Sequence, residues 1–369
     1  MRFYPFYANT TQFINANYSR CSSSYRCFTY DRFSRNQWLG VCPCRYTDPI
    51  LAAIRDLGYS APQPSREGTR RNAHTIGLIL PDIGNPFFTK IGHGVEQAAN
   101  LHEYRVIICN SRSDIALEKR YLSDLIARRV DGIIIAPSND ASFATLESFT
   151  NAQCPIILID REIPNLAIDV VQSDNQQAAL KITQHLIALG HRRIAFISGD
   201  NRISTSRDRL YGYRLALDTA GIPFDSSLVF EENPSLALPG YVSTQQLCQR
   251  NALPDAIMAI NAMTAMGVVQ VCTERQLRIP YDIALVTFDD LEYAGVLFPF
   301  FTLMEQPTTL MGETAVKRLI LRIQRPDHEI ANIKLSSTFI ERRSCGSLKN
   351  EAFFAVTLPF ANQNQPVSY

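Results

Sequence analysis

Several apolar runs of this 369-residue sequence end directly in polar residues that could hold a ligand. Asp160 and Arg161 follow the run CPIILI, Asn261 follows PDAIMAI, and Asp289 follows IALVTF. Carboxylates accept hydrogen bonds, amides accept and donate them, and guanidinium groups donate them in a rigid fork. Such a set of side chains selects a small polar ligand by paired hydrogen bonds, so the pattern indicates a binding site.

Common catalytic motifs are missing from the sequence. There is no phosphate-binding G-x-x-x-x-G-K-[ST], no G-x-S-x-G and no H-E-x-x-H. The six histidines are scattered, and His191 in LGHRRIAFI is typical of a capping or packing residue. We therefore expect a binding protein without a cofactor or a metal ion, and we keep an enzyme of the same fold class as an alternative.

The net charge and the apolar runs of the sequence exclude two classes of partner, polyanions bound by bulk charge and membranes. The 36 basic and 35 acidic residues give a net charge of +1, which excludes a protein that coats a polyanion by bulk charge. No apolar run approaches the roughly 18 residues of a membrane span, and the first residues, MRFYPFYANTTQF, are too polar for a signal peptide. We expect a cytoplasmic protein with no membrane partner, in which the nine cysteines stay reduced.

Residues 75–345 alternate between β-type apolar runs and stretches with helical periodicity. This alternation predicts an α/β fold with parallel sheets and helices on both faces. Ligands of such folds bind at the carboxyl ends of the strands, where the polar residues above would meet. The predicted helices are Pro86–His102, Leu117–Arg128, Asn175–Leu189, Ser206–Ala220 and Ala262–Arg275.

The motifs of this region resemble those of the LacI/GalR family of bacterial transcriptional regulators. The resemblance covers about positions 50–345 and rests on TIGLILPDIGNPFF, RRVDGIIIAPS, DNQQAALKITQHLIALGHRRIAFISG, RDRLYGYRLAL, VTFDD, MEQPTTLMGETAVKRL and FIERRSC. It implies a sensor core of two doubly wound parallel-sheet subdomains of the periplasmic-binding-protein type. It also implies a homodimer in which a small effector, bound between the subdomains, changes the affinity for operator DNA.

The resemblance implies discontinuous subdomains, because the chain crosses between them three times, here near Ser173, Thr302 and Lys334. The expected order is a segment 1–49 in the place of the DNA-reading head, a last head helix and linker at 50–74, a first subdomain at 75–173 and 303–333, a second subdomain at 174–302 and 334–346, and a tail at 347–369.

Candidate effector-binding residues follow from the same resemblance. A sugar needs paired donors and acceptors for its hydroxyl groups and an aromatic face for its ring. The implied binding residues are Asn85, Phe87, Phe88, Asp160, Arg161, Arg209, Asn261 and Asp289. Many family members carry Asp directly after the asparagine that corresponds to Asn261, whereas Ala262 stands here, so the identity of the sugar is not carried over.

The first 49 residues differ in composition from the rest of the chain. They contain no Lys and no Glu, but they contain Cys21, Cys27, Cys42 and Cys44. A zinc module would explain the cysteines, but their spacing fits no common ligand pattern and no histidine lies among them. A transit peptide would explain the arginines and serines, but not the aromatic density. A third interpretation is that the segment is not a natural protein sequence.

A shifted reading frame supports the third interpretation. Taking each codon's last two bases with the first base of the next permits M-x-T-I-x-D-V-A-x-x-T-G-V-S-x-x-T-V-S-R-V-I-N-G, starting beneath Asn15. That string is similar to the helix-turn-helix head of the family, and ILAAIRDLGY at 50–59 resembles the last helix of the head. We infer that residues 1–49 are an out-of-frame translation of the head and form a non-native or disordered segment.

The linker also departs from the family pattern. The family has A-R-x-L there, a short helix that inserts a leucine into the minor groove. Gly68 replaces that leucine here, while Arg66, Arg70 and Arg71 remain as residues that could contact phosphates. The sequence therefore predicts an effector-binding regulator by family, with specific operator binding impaired. A stand-alone or periplasmic sugar-binding protein is the first alternative.

Overall fold

The computed structural model describes residues 74–150, 154–231, 239–250, 253–291 and 300–347. Those residues form two six-stranded sheets with helices packed on them. The predictions for residues 1–49, for the linker with Arg66, Arg70 and Arg71, and for the tail beyond 347 lie outside the described residues. None of the described helices combines the length and the apolar composition that spanning a bilayer requires.

The first subdomain contains a sheet with the strand order β11-β5-β4-β3-β1-β2, in which every neighbouring pair is parallel. Its strands are β1 (Thr75–Leu80), β2 (Arg105–Asn110), β3 (Gly132–Ile135), β4 (Ile156–Ile159), β5 (Asp169–Ser173) and β11 (Asn332–Leu335). Its helices are α1 (Pro86–Leu101), α2 (Ile115–Ala127), α3 (Phe143–Thr150) and α8 (Thr308–Gln324).

The second subdomain contains a sheet with the order β12-β10-β9-β8-β6-β7, in which only the pair β10–β12 is antiparallel. Its strands are β6 (Ile194–Ser198), β7 (Val229–Glu231), β8 (Ala256–Ala259), β9 (Ala284–Phe288), β10 (Thr302–Glu305) and β12 (Thr338–Ile340). Its helices are α4 (Asn175–Ala188), α5 (Ser204–Thr219), α6 (Tyr241–Cys248) and α7 (Ala262–Glu274).

The central strands are apolar on both faces, which explains the continuous runs in the sequence. Every residue of β3, β4, β8 and β9 is buried, because helices cover both faces of a parallel sheet. The edge strand β2 shows the opposite, with Ile108 52% exposed. The predicted fold class of two doubly wound α/β subdomains is confirmed, and the five predicted helices are present with ends within two residues of the expected ones.

Helix α8 completes the first subdomain although it comes late in the chain. It packs on α1 so closely that a Cβ atom on Gly312 would lie 2.6 Å from the backbone nitrogen of Val95. From the same helix, Arg318 Nε and Arg322 Nη2 each donate a 2.7 Å hydrogen bond to Asp169, which is only 2% exposed. Because a buried carboxylate is costly without partners, Asp169 depends on these two arginines.

Two of the three expected crossing points need correction. Strand β10, which begins at Thr302, pairs with β9 and β12 of the second sheet, so the chain crosses after Glu305 rather than at 302. Strand β11 pairs with β5 along its whole length, so the last crossing follows Leu335 rather than residue 333. Both errors arise because a crossing occurs only where a strand's hydrogen bonds end, and apolar patterning does not mark that residue.

Candidate functional site

Asp160 and Asp289 occupy matching places in the two subdomains. Asp160 follows β4 and Asp289 follows β9, and both have left-handed backbones with φ of +68° and +63°. The backbone N–H of Asp160 donates to Val171 O at 2.8 Å, and that of Asp289 donates to Met304 O at 3.0 Å. Each aspartate thus leaves its strand in a conformation that is uncommon outside glycine, asparagine and aspartate, which is a frequent property of ligand sites.

Arg209 is held from inside the second subdomain. It lies on α5 and is 5% exposed, its Nε donates to Asn175 Oδ1 at 2.8 Å, and its Nη1 donates to the Ile260 carbonyl. Its guanidinium carbon lies 4.0 Å from the centre of the Phe288 ring, which supports the planar cation from one face. These contacts fix the guanidinium before any ligand arrives, so its remaining donors are preorganised for binding.

A glycine permits this support of Arg209. Helices α4 and α5 approach so closely that a Cβ atom on Gly212 would lie 2.3 Å from the carbonyl oxygen of Gln176. Asn175 is the first residue of α4, so the close contact brings its amide to the arginine. The motif RDRLYGY therefore contains both Arg209, a predicted binding residue, and the small residue that lets Asn175 approach it.

Arg161 is fixed by the first subdomain. Its Nη1 donates to the carbonyls of Pro137 and Ser138, both at 2.9 Å, beyond the end of β3. The loop with these carbonyls is itself tied down, because the buried carboxylate of Glu118 accepts 2.7 Å hydrogen bonds from both the backbone N–H and the hydroxyl of Ser138. The guanidinium carbon of Arg161 lies 5.5 Å from the centre of the Phe88 ring.

Five of the predicted residues form one group, here called the cleft cluster: Phe88, Asp160, Arg161, Arg209 and Asp289. Arg161 Nε lies 3.5 Å from Asp160 Oδ2, and the charge of Arg209 acts on both Asp160 and Asp289. Two acids and two bases leave the cluster without a large net charge. It can therefore pair with neutral hydroxyl groups without repelling or demanding a charged ligand.

Burial dominates the protonation of the two acids. It raises the pKa of Asp289 to about 6, against the opposing effects of Arg209 and of the hydrogen bond from Gln306. It also raises the pKa of Asp160, where Arg161 and Arg209 act in the opposite direction. At neutral pH Asp289 is ionised and serves as an acceptor, and it loses that role as the pH falls through about 6.

Phe87 lines a cavity of about 320 Å³ at which the two subdomains meet. Lys90 and Thr308 line the cavity from the first subdomain, and Asp289 and Gln306 line it close to the second crossing. Phe87 also packs edge-on against Phe88, with ring centres 5.0 Å apart, and both phenylalanines belong to the core cluster of the first subdomain. Both phenylalanines are thus core residues; Phe87 also lines the cavity, whereas Phe88 reaches the cleft cluster through its contact with Arg161.

Asn85 and Asn261 use their side-chain oxygens within the chain. Asn85 Oδ1 accepts from the backbone N–H of Phe87 at 3.0 Å, and Asn261 Oδ1 accepts from that of Thr264 at 2.9 Å. Both asparagines are the N-caps of the helices that follow them, α1 and α7. Each side chain therefore has its amide NH₂ group and one further acceptor position on its oxygen to offer a ligand.

Gln306 belongs to the cleft and was missed in the sequence. It is 3% exposed and donates from Nε2 to both carboxylate oxygens of Asp289, at 2.9 and 3.1 Å. Its own Oε1 is a buried acceptor with no hydrogen-bond partner among the described residues. The expected crossing at Thr302 assigned β10 to the first subdomain. Gln306, the polar residue that follows this strand, was therefore not considered among the residues at the strand ends of the second sheet.

Other contacts cross directly between the subdomains. Arg207 forms a two-pronged ion pair with Asp140 of the first subdomain, with N–O distances of 2.6 and 3.2 Å. The backbone N–H of Asp140 donates to Arg202 O, and that of Glu162 donates to the hydroxyl of Ser204, both at 2.9 Å. These contacts hold the two subdomains together beside the cleft cluster.

Comparison with known proteins agrees with this architecture. Residues 73–343 match the family described as periplasmic binding proteins and sugar binding domain of LacI family. The ribose operon repressor of Escherichia coli is 31% identical over 304 residues, covering 81% of this chain and 90% of that protein. The HTH-type transcriptional regulator DegA of Bacillus subtilis is 31% identical over 265 residues, covering 71% and 78%.

A solved structure agrees as well. The crystal structure of a LacI family transcriptional regulator from Enterococcus faecium with bound ribose aligns with a TM-score of 0.64 and 30% identity, covering 73% of this chain and 98% of that chain. The family match spans both subdomains and all residues of the cleft cluster. The chain belongs to the LacI family of transcriptional regulators, and its two described subdomains are the sugar-binding domain of that family.

Proposed function

We propose that this regulator responds to a pentose in its ring form, with ribose as the first candidate. The observation that carries the proposal is Arg209, whose charge acts on an aspartate from each subdomain while its position is fixed by Asn175. A neutral, hydroxyl-rich ligand fits the balanced charges of the cleft cluster, and a ring fits the aromatic wall of Phe87 and Phe88. The likeness to a ribose repressor and to a ribose-bound regulator supports the same sugar class.

Calorimetry on the full chain tests the sugar class. We expect ribose to bind, and glucose and the disaccharide cellobiose to bind at least about tenfold more weakly, because a larger ligand leaves polar groups of the closed cleft unpaired. Asp289→Ala should abolish ribose binding, whereas Asp282→Ala, which removes an exposed aspartate paired with Arg278, should not change it. Tight binding of a different ligand class would refute the pentose, and ribose binding by Asp289→Ala would refute the site.

The chain is proposed to bind its sugar without converting it. The support is the nature of the relatives, which are transcriptional regulators, together with the lack of catalytic motifs in the sequence. Nuclear magnetic resonance of ribose after prolonged incubation with the protein should recover the sugar unchanged. A new sugar resonance that grows with protein concentration would favour the alternative of an enzyme with the same fold.

Specific operator binding is proposed to be impaired in this chain. Residues 1–49 lack the recognition helix as sequence, and the remaining linker arginines provide only phosphate contacts, which are salt-sensitive and do not read bases. Gel shifts with DNA from around the gene should show weak, salt-sensitive retardation for this chain. Shifting the frame of codons 15–48 should restore a site-specific complex that resists competitor DNA.

Two results would contradict this proposal. If the chain as given retards one DNA site at nanomolar concentration in the presence of competitor, the frame shift has no functional consequence. If the frame-restored chain also shows no site preference, the reconstruction of the helix-turn-helix is wrong. A periplasmic sugar-binding protein, the first alternative, would be found in the periplasmic fraction, whereas a DNA-bound regulator stays in the cytoplasm.

A homodimer is proposed through the exposed edge of the first sheet. Leu101 is 84% exposed, and Ile107 and Ile108 on β2 are 38% and 52% exposed, so an apolar strand edge meets the solvent. Such edges are usually covered by a partner. Sedimentation should find a dimer for the wild type and a monomer for Ile108→Glu, while Ile330→Glu, at an equally exposed isoleucine, should stay dimeric. A dimeric Ile108→Glu would exclude this edge.

A further inference from the structure

A histidine, a glutamate and a cysteine meet in the second subdomain at a distance from the cleft cluster. His185 Nε2 lies 3.3 Å from Cys345 Sγ and 4.0 Å from Glu341 Oε1, and one ligand atom from each residue falls within 4.8 Å of the others. His185 is in the last turn of α4, whereas Asn175 supports Arg209 from its first residue. His185 is ten positions after Asn175, which places the group about 15 Å from the cleft along the helix.

The three residues come from separate elements that are packed together. His185 stacks on Phe339 with ring centres 4.8 Å apart, and Cys345 is fully buried in the core of the second subdomain. The hydroxyl of Thr302 donates to Cys345 Sγ at 3.1 Å. The side chain of Glu341 is 45% exposed, so the group is closed on its histidine and cysteine sides and open to solvent at the glutamate.

The chemistry of this group suits a divalent transition metal. An imidazole, a thiolate and a carboxylate are the ligands that Zn²⁺ takes, with bond lengths of about 2.0–2.3 Å. Tetrahedral ligands at those lengths lie about 3.3–3.6 Å apart, close to the 3.3 Å between histidine and cysteine. The Glu341 carboxylate lies 4.0 Å from His185 Nε2, and all three ligand atoms lie within 4.8 Å of one another, so a rotation of the exposed Glu341 side chain would bring its oxygen into ligand distance.

Charge balance favours the same ion. A thiolate and a carboxylate together neutralise the charge of a divalent cation, so the loaded group would carry no net charge into a buried site. Magnesium and calcium prefer sets of oxygen ligands and do not suit a thiolate.

We propose that His185, Glu341 and Cys345 form a binding site for Zn²⁺ or a similar thiophilic divalent ion, with water as the fourth ligand. The site lies outside the sugar-binding machinery and fastens the segment Glu341–Cys345 to the last turn of α4. His185 and Cys345 are 160 residues apart in the sequence, so the site has no local metal-binding motif. Metal binding would stabilise the second subdomain independently of the sugar.

Cobalt substitution tests the site directly. Titrating the reduced, metal-free full chain with Co²⁺ should produce a sulfur-to-cobalt charge-transfer band and the intense visible bands of four-coordinate cobalt. Both bands should vanish in Cys345→Ser. Both should persist in the control Cys248→Ser, which alters a half-buried cysteine outside the proposed site. The cysteines of residues 1–49 are present in every variant, so the difference spectrum isolates Cys345.

Two milder variants keep the test decisive if Cys345→Ser does not fold. His185→Gln and Glu341→Gln should each weaken Co²⁺ binding by more than about tenfold, the lower limit for residues that merely support a metal ligand. Zn²⁺ should displace Co²⁺ and raise the melting temperature of the wild type but not of these variants. The proposal would be overturned if the difference spectrum between the wild type and Cys345→Ser showed no thiolate band, if the wild type showed no band at all, or if both glutamine variants bound Co²⁺ with wild-type affinity.

Discussion

The two subdomains use one framework to present different chemistry to the cleft. In each, the order of the first five strands is the same, and an aspartate with a left-handed backbone follows the fourth strand of the subdomain. The helix after the first strand differs, because α1 contributes Phe87 and Phe88 whereas α5 contributes Arg209. The strands and their aspartates, which the subdomains share, set the positions at which ligand groups can bind. The helix after the first strand, which differs, provides an apolar face in the first subdomain and a charged donor in the second.

The arginines of the two halves are held in a similar way. Arg161 donates to carbonyls beyond the end of β3, and Arg209 donates to the carbonyl beyond the end of β8, which occupies the matching place in its sheet. Their aspartates differ in support, since Asp160 has a cation at 3.5 Å and Asp289 has the neutral amide of Gln306 at 2.9 Å. Burial raises the pKa of both acids, and that of Asp289 reaches about 6, so we expect ligand binding to respond to pH through Asp289 in that range.

Of the variants below, the one that removes Arg209 should weaken binding most, because the charge of this side chain acts on the aspartates of both subdomains. Arg209→Ala should weaken pentose binding by about 2–4 kcal/mol, the range for unpairing buried charge-assisted hydrogen bonds. Arg214→Ala on the same helix is the control, because Arg214 is exposed and stacks on Phe224 outside the cleft. Calorimetry that finds equal affinities for the two variants would disprove the role of Arg209.

Separating α4 from α5 tests whether packing supports the arginine. Gly212→Ala inserts a methyl group 2.3 Å from the Gln176 carbonyl, so the helices must part at a cost of about 1–3 kcal/mol in unfolding free energy. Pentose affinity should fall with it, because Asn175 moves away from Arg209. Gly92→Ala in α1 is the matched control, since its new methyl group would meet Leu80 at an ordinary 3.7 Å. Denaturant unfolding and calorimetry measure the two effects, and unchanged affinity in Gly212→Ala would separate packing from binding.

Lowering the pH should sharpen the difference between the two aspartates. Pentose affinity should be constant above pH 7 and fall toward tenfold per pH unit below about 6, where Asp289 gains a proton and stops accepting. Because the folded-state pKa is raised, ionisation of Asp289 costs stability that is regained as the pH falls. Asp289→Asn should therefore raise the melting temperature at pH 7.5, and the gain should shrink toward pH 5. An affinity that stays flat to pH 5 would contradict this assignment.

The smallest effect is expected at the ion pair between the subdomains. Asp140 and Arg207 are each about one-third exposed, so their pair contributes about 0.2–1 kcal/mol. Asp140→Ala should shift the ligand-free chain toward an open cleft, seen as a larger radius in small-angle scattering, and should lower pentose affinity by less than about fivefold. High salt should produce the same change in the wild type and none in the variant. An unaltered radius in Asp140→Ala would show that the ion pair does not influence the equilibrium between the open and the closed cleft.

The sequence predicted the fold from strong local signals. Fully buried strands such as β3 and β4 are continuous apolar runs, and polar residues at their ends, such as Asp160 and Asp289, were found because strand ends converge. Gln306 and Asn175 were not found, because their roles depend on where the chain changes sheets and on how closely two helices approach. Both features belong to the tertiary structure, which a local sequence pattern does not predict. Asn85 and Asn261 cap the helices that follow them and were also predicted to bind the ligand. A local pattern can therefore mark a residue to which both a helix cap and a binding role are assigned.

The late position of α8 has a consequence for biosynthesis. Asp169 leaves the ribosome 149 residues before Arg318, an interval of about 7–30 s at usual translation rates. During that interval the carboxylate lacks its partners, and the face of α1 that receives α8 is uncovered. The first five strands of the second subdomain, by contrast, follow one another without interruption up to Glu305. The first half therefore waits for residues that are synthesised after most of the second half, and each half is completed only by one of the last two strands, β11 and β12.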